Sequence, residues 1–237
     1  MRALAGGLLV LGLASAASAQ TVVVDEGSFT LSVNGNRTGR EQFSIRRNTA
    51  GGVSTLYATA VVTMTSEDRR LDSRLITDSG GQPREFELIE KVAGVVTTRV
   101  LASAAGGRFS ERVFNASGQA NKEMRLGAGT LVADRELVHT YYFFFTPERA
   151  ETGIRLVTPR TLGRDSLTVT VVSAATEVEV GNGNIPARHL MVTDAGRTVT
   201  DVWLDDRGRV LRLAVKARGF VATRDEPPTD ATARFPH

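Results

Sequence analysis

Turn signals recur along this chain roughly every 8–12 residues, and between them apolar side chains alternate; that rhythm restricts the fold to antiparallel β architecture. The first unit is the clearest. Residues 28–33 place Phe29, Leu31 and Val33 on one face, and Asn34-Gly35-Asn36-Arg37 follows, where Asn and Gly tolerate the positive φ of a tight hairpin. The return strand sets Phe43 and Ile45 on one face. Further strands are predicted at 56–65, 71–77, 86–92, 95–101 and 109–114. In the second half they fall at 167–172, continuing over 175–180, and at 188–192, 198–204 and 210–215, with Phe220 and Val221 after a break at Gly219. Ser79-Gly80-Gly81-Gln82, Ala105-Gly106-Gly107, Asn115-Ala116-Ser117-Gly118, Gly181-Asn182-Gly183-Asn184 and Asp205-Asp206-Arg207-Gly208-Arg209 punctuate them. A parallel sheet would need helical crossovers, and none are visible. The residues therefore predict an all-β, mainly antiparallel sandwich or barrel.

One stretch breaks the rhythm. Residues 131–145 contain no turn signal, do not alternate cleanly, and end in five consecutive aromatics, Tyr141 to Phe145. Asp134 is placed to cap a short helix of about three turns with Leu137, Val138, Tyr141 and Tyr142 on its apolar side. A buried strand is the competing reading, because aromatic residues favour sheets. On either backbone, five successive aromatics cannot all face one surface. They must pack as an internal plug, or meet a ligand, a partner or a membrane on their second side.

The N-terminus has the form of an export signal. Arg2 supplies the positive charge, residues 3–13 are apolar, and Ala17-Ser18-Ala19 is a small-x-small cleavage site that would leave Gln20 first. The expected organisation is a signal peptide at 1–19, one β domain at 20–225 and a flexible tail at 226–237 carrying Pro227-Pro228. No other segment is long and apolar enough to span a bilayer as a helix. The sequence contains no Cys, so core packing and sheet hydrogen bonds must hold an exported domain without disulfides, and no lipobox exists for an N-terminal lipid anchor. Net charge is +3, and its signs are interspersed rather than blocked, which argues against a nucleic-acid groove.

Catalytic and metal motifs are missing. His139, His189 and His237 are the only histidines, no HExxH spacing occurs, and no metal site is expected. No GxSxG elbow is present. Gly181-Asn182-Gly183 opens no helix and reads as a hairpin turn rather than a phosphate loop. Asp205-Asp206-Arg207-Gly208 lacks the alternating ligands and closing Glu of a Ca2+ loop and reads as a polar turn. The expectation is therefore no catalytic residue, no cofactor and no enzyme.

Two C-terminal passages carry a resemblance. One is Val-Glu-Val-Gly-Asn-Gly-Asn-Ile-Pro-Ala-Arg-His-Leu, residues 178–190. The other is Thr-Val-Thr-Asp-Val-Trp-Leu-Asp-Asp-Arg-Gly-Arg-Val-Leu-Arg-Leu, residues 198–213. Together they resemble the end of uncharacterised exported β proteins, in which a Gly turn and a Pro-containing strand precede a Trp strand, a polar Gly turn and a last strand. Residues 29–39 look like the first hairpin of such a protein. These proteins are broadly similar to periplasmic lipoprotein carriers of the LolA and LppX type. The resemblance implies a highly curved open sheet or half-barrel with an apolar concave face, to which the reading of residues 131–145 adds one short helix; it carries over no catalytic residue.

The expected function is that of an exported, non-enzymatic cell-envelope protein, periplasmic or secreted, holding an apolar ligand such as a lipid in the concave sheet. From alternation, the candidate lining residues are Phe29, Phe43, Tyr57, Phe86, Tyr141, Tyr142, Phe144 and Trp203. The alternative is an envelope assembly protein that binds another protein through a sheet edge or the aromatics. A hydrolase would need carboxylates clustered around His139 or His189. No nucleic-acid partner is expected.

Overall fold

A computed structural model describes residues 20–145, 154–195 and 198–229 of the 237-residue chain. The expected signal peptide and most of the expected tail lie outside the described residues.

Long alternating runs zip to their sequence neighbours wherever a turn permits, and this produces two meanders. The first contains β1 (Gln20–Val33), β2 (Asn36–Ala50), β3 (Val53–Met64), β4 (Arg69–Asp78), β5 (Pro83–Val92), β6 (Val95–Ala105), β7 (Arg108–Asn115) and β8 (Gly118–Arg125). The second contains β9 (Thr130–Val132), β10 (Ile154–Thr158), β11 (Gly163–Val180), β12 (Gly183–Asp194), β13 (Val199–Leu204), β14 (Val210–Val215) and β15 (Phe220–Arg224). β1 pairs antiparallel with β15, joining the two arms into one sheet of 15 strands ordered β8 to β1, then β15 back to β9. Every ladder is antiparallel except β9 with β10. The predicted hairpin forms as expected: Asn34 and Gly35 both take positive φ, 50° and 80°, as a two-residue turn between right-twisted strands requires.

Strand parity sorts the side chains. Phe29 and Leu31 of β1, Phe43 and Ile45 of β2, Leu75 of β4, Phe86 and Leu88 of β5 and Phe109 of β7 face one side and are buried together. At about 1.5–3 kcal/mol per large apolar side chain, this row dominates stability. Outward positions carry charges paired along the surface, such as Arg70 with Asp72 and Arg74 with Glu87.

The sheet curls until its ends meet, with no backbone pairing between them among the described residues. β9 tucks inside and packs against β5. Lys122 on β8 donates to the carbonyl of Leu162 in the β10–β11 connection (2.5 Å), and Arg164 donates to the carbonyl of Glu123 (3.4 Å). At the junction of the two arms, Arg224 is buried and forks onto Asp25 (3.0 and 2.7 Å), and it also donates to the carbonyl of Glu26 (2.7 Å). Residues 226–229, the described start of the tail, are tied back: Arg224 donates to the carbonyl of Glu226 and Arg209 to that of Thr229.

The 131–145 stretch combines the two expected conformations. Its start is the short buried strand β9; a seven-residue 3-10 helix, Val138–Phe144, follows. Three further single-turn 3-10 segments cap strand connections. Ala58 and Ala60 on the inner row of β3 are small, which leaves the concavity room for the aromatic helix.

Candidate functional site

The aromatic helix is held in the concavity by groups from distant strands. Asp134 was expected to cap it, but instead shapes the preceding turn: its Oδ1 accepts the N–H of Glu136 (3.0 Å) and its carbonyl accepts that of Leu137 (3.0 Å). The helix N-terminus is capped by Glu41, on the inner row of β2, which accepts the N–H groups of Val138 (2.7 Å) and His139 (2.9 Å) and binds His139 Nδ1 (2.7 Å). Both side chains are fully buried. The imidazole lies parallel to Phe43, 6.4 Å between centroids, and Phe43 stacks on Phe29 at 5.1 Å. A charged network clamps the turn before the helix from outside. Arg69 donates to Glu90 (2.5 Å) and Glu136 (2.8 and 3.0 Å); Arg160 donates to Asp134 (2.5 Å) and Glu136 (2.6 Å). Burial pushes the Glu136 carboxyl up, but its hydrogen bonds to Arg69 and Arg160 outweigh that and hold it at about 2.

The helix does not fill the whole concavity. Beyond its C-terminal end lies a cavity of about 650 Å3, bordered by Phe144, Phe145, β11, β12 and the turn 205–208. The strands themselves open this space. The β11–β12 register slips between Val171 and Ser173 and again before Thr176, so β11 bulges there, and Ala174 and Ala175 line the space with minimal bulk. Gly208 sits at φ 78°, and a Cβ there would meet the carbonyl of Phe145 at 3.2 Å, so glycine lets the turn approach the helix end. Asp205 fixes the turn by accepting the N–H groups of Arg207 (3.0 Å) and Arg209 (2.8 Å) and pairing with the Arg209 guanidinium (2.6 Å). The walls are apolar: Ile154, Val169, Leu190 and the two phenylalanines; Arg188, Asp206 and Arg207 supply charge.

Of the expected lining residues, Phe144 borders this cavity. Phe29, Phe43 and Phe86 are on the concave face but buried in the packed core beside the helix, as are Tyr141 and Tyr142. Tyr141 and Phe144 also border a second cavity of about 30 Å3, room for one water at most. Tyr57 and Trp203 are placed differently: they stand on the outer face. Tyr57 alternates with inward Leu56 and Ala58, and Trp203 with inward Val202 and Leu204. Outside, Trp203 stacks on His189 (4.3 Å) with the Arg212 guanidinium 5.2 Å from its ring, and His189 Nε2 bonds Asp201 (2.8 Å). Val178, Val180, Ala187 and Leu211 form a small outer cluster against Trp203. The sequence reading missed Phe145, Ile154, Val169, Leu190 and Arg188. The alternation of Arg188 with Leu190 and Val192 could have revealed the last of these; the break in alternation at 173–174 marks the place of the β11 bulge but not the space it opens.

A second acidic residue sits on the inner face. Glu111, on β7 between Phe109 and Val113, is buried, and neither carboxylate oxygen has a hydrogen-bond partner. Burial pushes its pKa up to about 7, against the opposing charges of Lys122 and Arg164.

No family model matches the sequence, and no curated protein matches it. Among solved structures, the crystal structure of a β-barrel-like protein of the domain of unknown function DUF1849 from Brucella abortus is similar. It covers 90% of this chain and 100% of that one, with a TM-score of 0.53 and 10% sequence identity. At that identity the likeness concerns the fold alone: this chain has a barrel-like fold built from one large, mostly antiparallel sheet.

Proposed function

We propose that the chain is an exported, non-enzymatic protein of the cell envelope that binds or carries an apolar ligand such as a lipid. The observation that carries this reading is the cavity of about 650 Å3 at the end of the aromatic helix, walled by Phe144, Phe145, Ile154, Val169 and Leu190. Its size falls among small-molecule sites, ~300–1,000 Å3, and its few charged groups accompany an apolar wall as such sites require. Export rests on Arg2, the apolar residues 3–13 and Ala17-Ser18-Ala19. The resemblance of residues 178–190 and 198–213 to the end of uncharacterised exported β proteins, themselves broadly similar to lipoprotein carriers, is in line with this reading. Because the helix occupies the centre of the concavity, the ligand is confined to one end of it.

The test is expression of the full chain in a bacterium, recovery from the periplasm and native mass spectrometry with lipid extraction. The expected product begins at Gln20 and carries lipid, and Ala175→Trp, which narrows the cavity, removes it. An empty, monodisperse protein that ignores added fatty acids and phospholipids overturns the proposal.

A second reading, as an assembly partner for another envelope protein, draws on β8. That strand is an edge of the sheet, and its residues 118–121 are exposed. An added strand from a partner could pair there.

A further inference from the structure

We propose that the cavity selects a single-chain anionic amphiphile, a long-chain carboxylate, with the Arg188 guanidinium holding the head group; this rests on the apolar-ligand reading above. Arg188 projects from β12 on the same side as Leu190 and Val192, and its cross-strand neighbour is the buried Leu204. It lines the cavity, and no hydrogen bond or ion pair engages it among the described residues. Other arginines beside the concavity are committed: Arg209 to Asp205, Arg224 to Asp25, Arg160 to Asp134 and Glu136. Among the described lining residues the charged groups are Arg188, Asp206 and Arg207, and the unengaged Arg188 is the charge that draws an anion to the site.

Size and shape choose one chain. A methylene group takes up about the ~30 Å3 of a water molecule in the liquid, so 650 Å3 admits about 20 such groups. That is one long acyl chain with its head group, and the aromatic helix denies space to a second. A guanidinium presents a planar fork of donors that a carboxylate can accept in pairs, whereas an ester or an alcohol offers no charge to it.

The experiment measures binding of palmitate, methyl palmitate and hexadecanol to the lipid-stripped periplasmic product at pH 8, for wild type, Arg188→Gln and Arg188→Lys. Wild type binds palmitate at least about 10-fold more tightly than either neutral analogue. Arg188→Gln binds all three alike, and Arg188→Lys retains part of the preference. Because Arg188 is exposed and packs against no partner charge, the variants keep the wild-type thermal transition. Equal binding of palmitate and methyl palmitate by wild type overturns the charge selection and leaves the apolar-ligand reading standing. Preference for palmitate that survives in Arg188→Gln overturns the role of Arg188. Failure of all three to bind removes both proposals.

Discussion

Replacing Glu111 by Gln should change how stability depends on pH. Glu111 lies on the apolar inner row of β7, buried, with neither oxygen hydrogen-bonded, and its pKa is pushed up to about 7 from 4.5. The folded state therefore holds this proton more tightly than the unfolded chain does. The stability linked to protonation is fully present below pH 4.5 and is lost as the pH rises through about 7. At ~1.4 kcal/mol per pKa unit, the loss approaches ~3 kcal/mol above pH 8. Glutamine has nearly the same shape, stays neutral and has no titration to lose. Like the protonated acid, it brings a polar group into the same unpartnered site, so the two proteins differ little at pH 4.5. Urea unfolding of both proteins from pH 4.5 to 8.5 gives the difference directly, because all other titrations cancel. The variant should gain ~3 kcal/mol on wild type across that range, or ~6–12 °C in Tm for a chain of this size. Parallel stability curves for the two proteins would refute the reasoning. They would mean that Lys122, Arg164 or water already satisfies the carboxylate.

Three other substitutions test the clamps on the helix and the sheet junction. Glu41→Ala strands two backbone N–H donors and the His139 imidazole in the core and should cost about 3–5 kcal/mol, with hydrogen exchange accelerated first at residues 138–144; unchanged exchange there would contradict the capping role. Glu136→Gln should remove an acid-sensitive contribution of about 2 kcal/mol, below the ~3 kcal/mol that a fully buried shift of this size carries because water screens its partly exposed carboxylate. With the folded pKa held at about 2, that contribution is present in wild type above pH 4.5 and lost as the pH falls towards 2, so the two proteins should converge in acid. Arg224→Met should destabilise by about 3–5 kcal/mol by leaving Asp25 buried without its partner, and Asp25→Leu added to it should recover much of that loss in chemical denaturation.

The sequence disclosed the fold where one local rule decided the outcome. Asn34-Gly35 announced its turn, and the parity of Phe29, Leu31, Phe43 and Ile45 marked the inner face, because a strand with one buried side must alternate. Elsewhere the deciding contacts were distant. Nothing local shows that β1 pairs with β15, some 190 residues away. β8 was not foreseen because its sequence is mostly polar, with Met124 its one buried apolar residue. The alternation at 167–172 was read as continuing over 175–180, and β11 is indeed one strand, but the register slips at Val172 and at Ala174–Ala175, on either side of the paired Ser173, were not foreseen. The aromatic run could be placed as helix or strand but not as a 3-10 segment, because Glu41 and the walls of the concavity decide its form.

The site was legible only where size and parity agreed. Phe144 was named from the aromatic run and does border the cavity. Tyr57 and Trp203 were read from alternation as inward, yet their immediate neighbours, Leu56 with Ala58 and Val202 with Leu204, take the inner positions. Arg188 was read only as the start of a strand, and its meaning depends on the cavity formed where β11 bulges.

The most direct test of the apolar-cavity reading is photocrosslinking of the periplasmic product with a diazirine-bearing fatty acid, followed by peptide mapping. The account predicts adducts at Phe144 and Phe145 and on the facing strands, at 169–176 and 186–190. Adducts confined to the outer face around Tyr57 and Trp203, or to the β8 edge, or none at all, would contradict it.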